Sequence, residues 1–585
     1  MTFVTRQLVP TDVVAEPLAM PDQNLRAPFR DPAAPGLRSS GLTLVLRAWV
    51  LLLPFCVTVT LGWLSLGWFA LDGRLTLADI ALVSVTSFAF FWVVLSVGTA
   101  MLGLVWRETP AAVPFQELTV AILLPMYGEP AEETIGNGLH LLAGLPSKGR
   151  HRFALQVLSD TRSPVAAALE EAAVAAARRL HPGLSIDYRR REQNTDYKSG
   201  NIRDWVRSGG HAHDAMLILD ADSVMSPDAV LKMADALAHE PGLGLIQTVP
   251  RVLPGRTVWQ GLQSFSSQVY GVNMGRGFAM WTGAEGNFLG HNALVRTRAF
   301  AASAGLPHLS GAAPRGGVIL SHDFIEAALL RRAGWGVRMM PEAEDSFEDT
   351  PETLNGYLKR DQRWCQGNLQ HVRLLLAPGL HPMSRFHLLQ GAMAYLASVW
   401  WLALLILWAL PGQGDAMSDV FAANPLMPNW PTLPLITQAA IAGFVGLMLM
   451  APKLLGLVGH IRRHRVSLAV APQFAGVALA EMALSALLAP ALMVHQVRAV
   501  LRTVWGLDGG WMPHVKGRSD LRTLLRFHAV ETGLGAVLLA FTLAGQLSLW
   551  LLPVVIGLCL TVPLAALMQM PRSTFPFRIA RRRIA

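Results

Sequence analysis

The feature that most constrains the fold of this chain is the distribution of its long apolar runs. A helix needs about 20 apolar residues to cross a hydrocarbon layer of ~30 Å. Such runs lie at about 42–66, 77–105, 387–410, 433–458, 527–547 and 548–570. None occurs between Trp106 and Arg385, where the composition is that of an ordinary globular domain. With 52% hydrophobic and 15% charged residues in 585 positions, the sequence predicts a polytopic α-helical membrane protein with an inserted globular domain of about 270 residues.

The positions of the basic residues predict the orientation in the membrane. Lys and Arg lie before the first run, after the second and before the third, and they recur at 460–465, 498–526 and 578–583. The intervening loops at 72–74 and 411–434 carry almost none. Because basic residues flank the cytoplasmic ends of spans, we expect both termini and the globular domain in the cytoplasm. The net charge of +9 then reflects membrane topology and does not indicate nucleic-acid binding.

The segment 468–505 is ambiguous, because it lies between two basic stretches and must cross the membrane twice or not at all. A hairpin of two spans broken near Ala489-Pro490 would give eight crossings. An interfacial helix pair lying on the membrane would give six. The loop from Trp505 to Trp511 is glycine-rich and lies on the predicted cytosolic side, which is the composition of a lid or of a loop that is simply flexible.

The ends of the chain resemble neither a signal peptide nor a span. The first 40 residues hold six prolines and no apolar segment before a cleavage site. Three cysteines, scattered without metal-ligand spacing, predict neither a disulfide nor a zinc framework. The predicted order is a disordered cytosolic tail (1–40), two transmembrane helices (41–106), the cytosolic domain (107–385), about six transmembrane or interfacial helices with a cytosolic loop near 503–526 (386–571), and a basic cytosolic tail (572–585).

Within the globular domain, short β-rich runs alternate with helical patterns. Strand-like LTVAILLPM, FALQVLSD, SIDYRRR and AMLILDAD are each followed by a helical segment, and two of these segments open with Ser163-Pro164 and Ser226-Pro227. This rhythm predicts right-handed βαβ crossovers and a mostly parallel sheet. Ligands of such sheets bind beyond the carboxyl ends of the strands, where this sequence places Asp160 and Asp220-Ala-Asp222.

Two carboxylates closing an apolar strand can share a hard divalent cation with phosphate oxygens. Asp220 and Asp222 therefore favour a nucleotide-phosphate substrate, although such a pair also arises by chance and Asp222 could cap a turn. Lys198 precedes the strand at a loop-to-helix junction, where a lysine and free amides suit a diphosphate. The alternative is a solvated surface lysine. We expect His291 and Asn292 in a tight turn, where His291 is either a ligand or a structural histidine.

Two helical segments complete the candidate site. Asp323-x-x-Glu326 has the spacing of a capping box, so Asp323 is a helix cap, a catalytic base or both. Arg360 and Arg363, three positions apart, can meet phosphates, and the indole of Trp364 offers an apolar face to a sugar ring. The alternative for this second segment is a basic helix resting on anionic lipid.

Taken in order, these motifs resemble the processive family 2 glycosyltransferases, whose GT-A (Rossmann-like) domain sits on transmembrane helices. The series is Asp160, Lys198-Ser-Gly-Asn, Asp220-Ala-Asp222, Gly290-His-Asn-Ala, Ser-His-Asp323 and Arg360-x-x-Arg-Trp364. Within that group, SHDFIEAALLRRAGWGV and LKRDQRWCQGN look most like the glucan biosynthesis glucosyltransferase H family. Cellulose synthases usually have Thr-Glu-Asp where this chain has Ser-His-Asp323, and a glutamine where it has Arg360.

The resemblance implies a role for each matching residue. Asp323 is the expected base; Asp160 is expected to contact the uridine and Lys198 the diphosphate. Asp220 and Asp222 are expected to hold Mg²⁺ or Mn²⁺. The remaining substrate-binding residues are His291, Asn292, Arg360, Arg363 and Trp364. The implied partners are UDP-glucose, a growing β-glucan acceptor, membrane lipid and a periplasmic glucan-modifying protein, with no nucleic acid.

The resemblance also implies the reaction and its location. The expected product is a linear β-1,2-linked backbone of osmoregulated periplasmic glucans, made at the bacterial inner membrane. One displacement by an acceptor hydroxyl needs a single carboxylate as base, while a cation and basic side chains stabilise the leaving UDP. The alternatives are a synthase of another β-glycan, such as cellulose, and a transporter with a degenerate nucleotide-binding domain.

Overall fold

The computed structural model describes residues 16–70, 75–108, 113–114, 116–145, 150–409, 435–467, 469–507, 517–547 and 549–574. Its main sheet has seven strands: β1 (Thr119–Met126), β2 (Arg152–Ser159), β3 (Ser185–Arg190), β4 (Ala215–Ile218), β6 (Leu243–Gln247), β8 (Ala293–Arg296) and β9 (Gly336–Met339). A smaller sheet joins β5 (Val224–Met225), β7 (Arg251–Val252) and β10 (Ser346–Glu348).

The main sheet has the strand order β3-β2-β1-β4-β8-β6-β9. Strand β8 runs antiparallel to β4 and β6, and the other neighbours are parallel. The predicted mostly parallel sheet is confirmed. Alternate residues of β1 enter two cores: Val120 and Ile122 pack on one face, and Ala121 and Leu123 on the other. This period of two is what a strand buried on both faces requires.

Helices cover both faces of the main sheet. Ser163 and Ser226 accept hydrogen bonds from the N–H groups of Ala166 and Ala229, and each is followed by proline, so both predicted helix starts are confirmed. The helices of the globular domain are α3 (Ala131–Gly144), α4 (Pro164–Leu180), α5 (Tyr197–Ser208), α6 (Pro227–His239), α7 (Val258–Ser266), α8 (Val272–Thr282), α9 (Thr297–Ser303), α10 (His322–Ala333) and α11 (Leu354–Gln370).

The apolar runs form further helices. These are α1 (Gly41–Phe69), α2 (Leu77–Val105), α12 (Pro382–Ala409), α13 (Leu435–His464), α14 (Ala471–Val504), α15 (Leu521–Phe527), α16 (Ala529–Leu543), α17 (Leu552–Cys559) and α18 (Thr561–Met568). Among the described residues, five of them are long and apolar enough to cross a membrane, or six if α15 and α16, bent by 72°, count as one span. The run at 548–570 contains two short helices, because Pro563 has no N–H for the carbonyl of Cys559.

Two glycines bring α2 and α8 into direct backbone contact. A Cβ atom at Gly103 would lie 2.0 Å from the carbonyl oxygen of Asn273, and one at Gly277 would lie 1.9 Å from that of Thr99. The Asn273 amide also donates to the carbonyl oxygen of Ala100 at 2.8 Å. No side chain fits between the two helices at this crossing, so the globular domain rests directly on the second membrane helix.

The predicted break near Ala489-Pro490 is wrong, because α14 is one helix of 34 residues with Pro490 inside it. Its contacts explain why the proline does not end it. Near its start, Val477 packs against Phe265 and Val269, and near its end, the ring of His495 bonds to the carbonyl oxygen of Leu358 at 3.1 Å. Packing against the globular domain at both ends compensates for the lost helical hydrogen bond. The segment is therefore neither a hairpin nor a helix pair.

The prediction of disorder for the first 40 residues is wrong for residues 16–40. The carboxylate of Asp31 accepts a hydrogen bond from the Trp335 indole at 2.9 Å, and the side-chain oxygen Oε1 of Gln23 accepts one from Arg332 at 2.7 Å. Met20, Gln23, Asp31 and Ala34 are buried. A proline-rich composition also suits an extended segment that lies against a domain. Residues 1–15, most of the predicted lid (508–511) and most of the basic tail (575–585) lie outside the described residues.

Candidate active site

The predicted site residues lie around the carboxyl ends of β1, β2 and β4. The turn before β8 and the first turn of α10 lie beside this region, and Arg363 of α11 is within electrostatic range of it. Parallel strands bring their carboxyl ends to one edge, which is why residues distant in sequence meet here. The smaller sheet contributes the end of β10 to the same region.

Lys198 and Asp220 form the central ion pair of the site. Lys198 Nζ contacts a carboxylate oxygen of Asp220 and donates to the carbonyl oxygen of Gly290 at 2.7 Å. Asp196 and Tyr197 have φ angles of 58° and 53°, so the chain turns sharply just before the lysine. Lys198 is therefore directed into the cleft. The solvated-lysine alternative does not describe this geometry.

The two carboxylates that follow β4 differ in their proton affinity. Burial alone would raise the pKa of Asp220, but the nearby Lys198 holds that pKa below its usual value. Desolvation within the cleft raises the pKa of Asp222 to about 7, and the negative charge of Asp220 adds to this effect. Asp222 remains exposed to the cleft. A desolvated pair of like charges open to a cleft is suited to bind a cation.

The turn before β8 places His291 in the site but buries Asn292 beneath it. His291 Nε2 lies 3.2 Å from a carboxylate oxygen of Glu348. This partner, together with Asp220, raises the pKa of His291 to about 9 despite the opposing effect of burial. Asn292 has no exposed surface, and its amide donates to the Ser346 hydroxyl at 2.9 Å and to the Phe347 carbonyl at 3.1 Å. These bonds hold the turn against β10, and the predicted contact of Asn292 with substrate stays a prediction.

Asp323 is the second residue of α10, and the predicted capping box at this position is wrong. The cap residue is Ser321, and the helix begins at His322, whose ring lies 3.2 Å from Glu326. The carboxylate of Asp323 instead interacts with the first backbone amides of the helix, which lower its pKa. Burial outweighs them, and Glu326 adds to it, so the pKa of Asp323 is raised overall. The carboxylate is therefore a better proton acceptor than an ordinary aspartate, although the nearby His322 opposes the shift.

Gly290 fixes the distance between the turn and Asp323. Its φ angle is +94°, and a Cβ atom there would lie 3.3 Å from Asp323 Oδ2. The same glycine presents its carbonyl oxygen to Lys198. Lys198, Asp220 and Asp323 therefore meet around a single glycine.

Helix α11 presents its basic and aromatic side chains to the same cleft. The Arg360 guanidinium stacks 4.5 Å from the centre of the Trp364 ring. The pKa of Arg363 is lowered by burial and by Arg360, and Asp220 opposes both, which places Arg363 within electrostatic range of the aspartate pair. Trp364 is 39% exposed, so part of its aromatic surface is accessible to solvent.

Asp160 lies at the carboxyl end of β2, but its carboxylate is already paired. Arg191 Nε and Nη2 contact its two oxygens, each at 2.7 Å, and Asn194 donates to its backbone carbonyl at 2.6 Å. With Asp160 in this position, a ligand that approaches it would meet the Asp160–Arg191 ion pair rather than a free carboxylate. A cleft of about 730 Å³ adjoins this pair and is lined by Thr161, Arg162, Arg190, Arg191, Glu192, Gln193, Asn194 and Thr195.

Two charged partners of the site were not predicted. Arg191 pairs with Asp160, and Glu348 pairs with His291. Glu129 also lies near the site, because burial raises its pKa and the charge of Asp220 adds to this effect. Glu129 stands in the Tyr127-Gly-Glu-Pro130 turn that follows β1. Its position at a strand end was a usable signal. The sequence holds no such signal for Arg191 or Glu348, because each lies in a run of several charged residues.

The chain is similar in sequence to known glycosyltransferases. The family described as Glycosyl transferase family group 2 matches residues 215–430. A glucans biosynthesis glucosyltransferase H of Rhodopseudomonas palustris is 39% identical, over 94% of this chain and 78% of the relative. The Vibrio cholerae protein of the same name is 38% identical, over 85% and 71%, and that of Xanthomonas oryzae pv. oryzae is 36% identical, over 98% and 91%.

Among solved structures, the mannosyltransferase PcManGT from Pyrobaculum calidifontis aligns over 74% of this chain and all of its own, with 12% identity and a TM-score of 0.44. The family assignment rests on the relatives that are similar in sequence. They share more than a third of their residues with this chain along most of its length. The fold is that of a GT-A glycosyltransferase domain joined to apolar helices. The chain belongs to the glucans biosynthesis glucosyltransferase H family.

Proposed function

We propose that this protein is an inverting, processive glucosyltransferase that polymerises glucose from UDP-glucose into a linear β-1,2-glucan. One observation carries the proposal: Lys198, Asp220 and Asp323 meet around Gly290, with α11 across the same cleft. This arrangement puts a base and a cationic diphosphate site side by side. The family membership supports a glucan as the product.

Asp323 acts as the base in the proposed reaction. The acceptor hydroxyl attacks the anomeric carbon of the donor glucose, its proton passes to the Asp323 carboxylate, and the bond from that carbon to the diphosphate oxygen breaks. The raised pKa of Asp323 suits it to accept that proton. A single displacement inverts the anomeric centre, so an α-linked donor gives a β-linked product.

Lys198, Arg360 and Arg363 stabilise the leaving diphosphate. Lys198 already contacts Asp220 and the Gly290 carbonyl, so a bound diphosphate takes a position beside a preformed cation. Arg363 lies within electrostatic range of Asp220. Trp364 presents its exposed ring to the acceptor sugar.

Asp220 and Asp222 are the residues that would hold Mg²⁺ or Mn²⁺. In the part of the chain that the structure describes, no three His, Cys, Asp or Glu side chains converge, so the remaining ligands would be donor phosphate oxygens. The like charges of the pair and the raised pKa of Asp222 fit a site completed by a cation. When bound, the cation supplies charge neutralisation for the leaving diphosphate.

The apolar helices place the reaction at a membrane. We propose that the protein lies in the bacterial inner membrane, with the globular domain and both termini in the cytoplasm, and that synthesis is coupled to translocation of the glucan. The basic residues that follow α2, precede α12 and end α13 support this orientation. The orientation requires α14, which contacts the globular domain near both of its ends, to lie along the cytoplasmic surface and not to cross. The direct contact of α2 with α8 brings the domain to the bilayer surface. A periplasmic partner would then modify the exported glucan.

Linkage analysis tests the product. Purified protein in detergent, given UDP-[¹⁴C]glucose and a divalent cation, is expected to yield glucan with β-1,2 linkages. A product with β-1,4 linkages would replace this proposal with a cellulose-like synthase. The mechanism would be unchanged, because the site chemistry is common to both.

Release of UDP tests the enzyme assignment against a non-catalytic transporter. We expect metal-dependent release of UDP by the wild type and a loss of at least 10²-fold in Asp323→Asn. Asp187→Asn, on the exposed face of β3, is the matched control and retains full rate. Equal rates of UDP release by wild type and Asp323→Asn would show that Asp323 is not the catalytic base.

A further inference from the structure

A cluster of arginines lies outside the active site, where α8, β7 and the end of α13 meet. Arg251 Nη2 lies 3.2 Å from one oxygen of Glu344, and Arg276 Nη2 lies 3.0 Å from the other. Arg463 approaches the same place from the last turn of α13, and its Nη1 donates to Asn273 Oδ1 at 3.4 Å. Glu344 is shared by two guanidinium groups and leaves the third without an ionic partner.

Several N–H groups of this cluster are buried without an acceptor. Among the described residues, Nε and Nη2 of Arg463 and Nε of Arg276 have neither exposed surface nor a hydrogen-bond partner. Arg276 as a whole is only 6% exposed. Two further carboxylates, Glu108 and Glu342, act on Arg276 through space. No carboxylate in the described part of the chain lies within 4.0 Å of Arg463. Buried donors of this kind are rare in folded proteins.

The cluster lies at the level where membrane helices enter the globular domain. Arg463 belongs to the basic stretch His460-Ile-Arg-Arg-His-Arg465, which ends α13. The Arg276 guanidinium lies 4.5 Å from the centre of the Trp106 ring, directly after the end of α2. Arg462 and Arg465 on the same stretch are exposed. Tryptophan and basic residues at span ends mark the height of lipid headgroups.

We propose that Arg463, with Arg276 and Arg251, forms a binding site for a phosphate-bearing anion at the membrane-facing side of the globular domain. The anion accepts hydrogen bonds from the free N–H groups of Arg463. It also contacts the two guanidinium groups, of Arg251 and Arg276, that hold Glu344. Planar guanidinium groups are well suited to phosphate oxygens. The anion comes from the headgroup of an acidic phospholipid or from soluble phosphate. Neither the active-site residues nor the proposed reaction is needed for this binding.

Binding of lipid to the full-length protein in a neutral detergent tests the site. Phosphatidylglycerol, phosphatidylcholine and sodium phosphate are titrated separately, and retained lipid is counted by native mass spectrometry while the melting temperature is followed. We expect phosphatidylglycerol to bind more tightly than phosphatidylcholine. Arg463→Gln should weaken the binding of phosphatidylglycerol about five-fold, and Arg463→Lys should restore most of it. If sodium phosphate alone reproduces the arginine-dependent shift, the site is assigned to a soluble anion.

Two further variants make the test decisive. Arg462→Gln removes an exposed charge from the same turn of α13 and should bind phosphatidylglycerol as the wild type does. Glu344→Gln removes the competing carboxylate and should tighten phosphatidylglycerol binding, which is the opposite of the effect expected for Arg463→Gln. This variant therefore still tests the site if Arg463→Gln fails to fold. Equal lipid and phosphate binding by wild type, Arg463→Gln and Glu344→Gln would overturn the proposal.

Discussion

Substitution of Gly290 by alanine tests whether the position of Asp323 limits turnover. Gly290 has a φ angle of +94°, and a Cβ atom there would lie 3.3 Å from Asp323 Oδ2. This separation is shorter than an ordinary carbon–oxygen contact, so the carboxylate must move by a few tenths of an ångström. The added methyl also strains the backbone by roughly 1–2 kcal/mol, because an alanine at positive φ crowds its own carbonyl.

The displacement should affect the chemical step more than donor binding. A misplacement of about 1 Å at a catalytic group costs around 10²-fold in rate. For a few tenths of an ångström we therefore expect a loss of about ten-fold in kcat, equivalent to ~1.4 kcal/mol. The KM for UDP-glucose should change by less than about two-fold. Initial rates of UDP release in detergent measure both constants.

Gly311→Ala is the matched control. Gly311 has a φ angle of +90°, but a Cβ atom there would meet nothing within 4 Å. Both variants should lose a similar amount of stability to backbone strain, and only Gly290→Ala should lose kcat. Equal kcat values for the two variants would refute the role of Gly290 in positioning Asp323.

Three further predictions follow from buried or paired charges. Glu348 raises the pKa of His291 to about 9. The stabilisation from this pair is therefore complete below the ordinary histidine pKa of ~6.5 and is lost as the pH rises towards 9. Glu348→Gln should lower the melting temperature at pH 7 and flatten its dependence on pH. The pKa of Asp222 is raised to about 7, so folding stability should fall as the pH rises from ~4 through 7. Mg²⁺ should offset that fall at pH 8, and Asp222→Asn should abolish the effect of Mg²⁺. Thermal melts with and without EDTA measure both effects. Asp31→Ala leaves the buried Trp335 indole N–H without its acceptor and should cost about 1–3 kcal/mol of stability in denaturant unfolding, with kcat unchanged; a lower kcat at unchanged stability would contradict the structural role of the segment 16–40.

The part of the site that lies at strand ends could be predicted from the sequence. Asp220 and Lys198 meet because a parallel sheet brings its carboxyl ends to one edge, and this rule needs only the alternation of strands and helices. The pairs Asp160–Arg191 and His291–Glu348 were not predicted. Each joins residues 31 or 57 positions apart, as the residue numbers show, and depends on how loops fold over the sheet. No local pattern encodes that.

The errors of prediction share one physical origin. Pro490 predicts a helix break by its missing N–H, and the six prolines of the first 40 residues predict disorder. In both cases tertiary contacts outweigh local preference, because α14 packs against the globular domain at both ends and residues 16–40 bury Asp31 and Met20 against it. Asn292 was predicted to bind substrate from the Gly290-His-Asn-Ala motif, and that motif does not reveal that its side chain is fully buried against β10. Only the folded chain decides which side faces the cleft.

The backbone contact between α2 and α8 has a mechanical consequence. If synthesis is coupled to translocation as proposed, pushing the glucan out of the cleft would exert an equal and opposite force on the globular domain. Because no side chain separates α8 from α2 at Gly103 and Gly277, that force would pass directly from one helix backbone to the other. A larger residue at Gly103 would separate the two helices, and part of each proposed elongation step would then displace the globular domain.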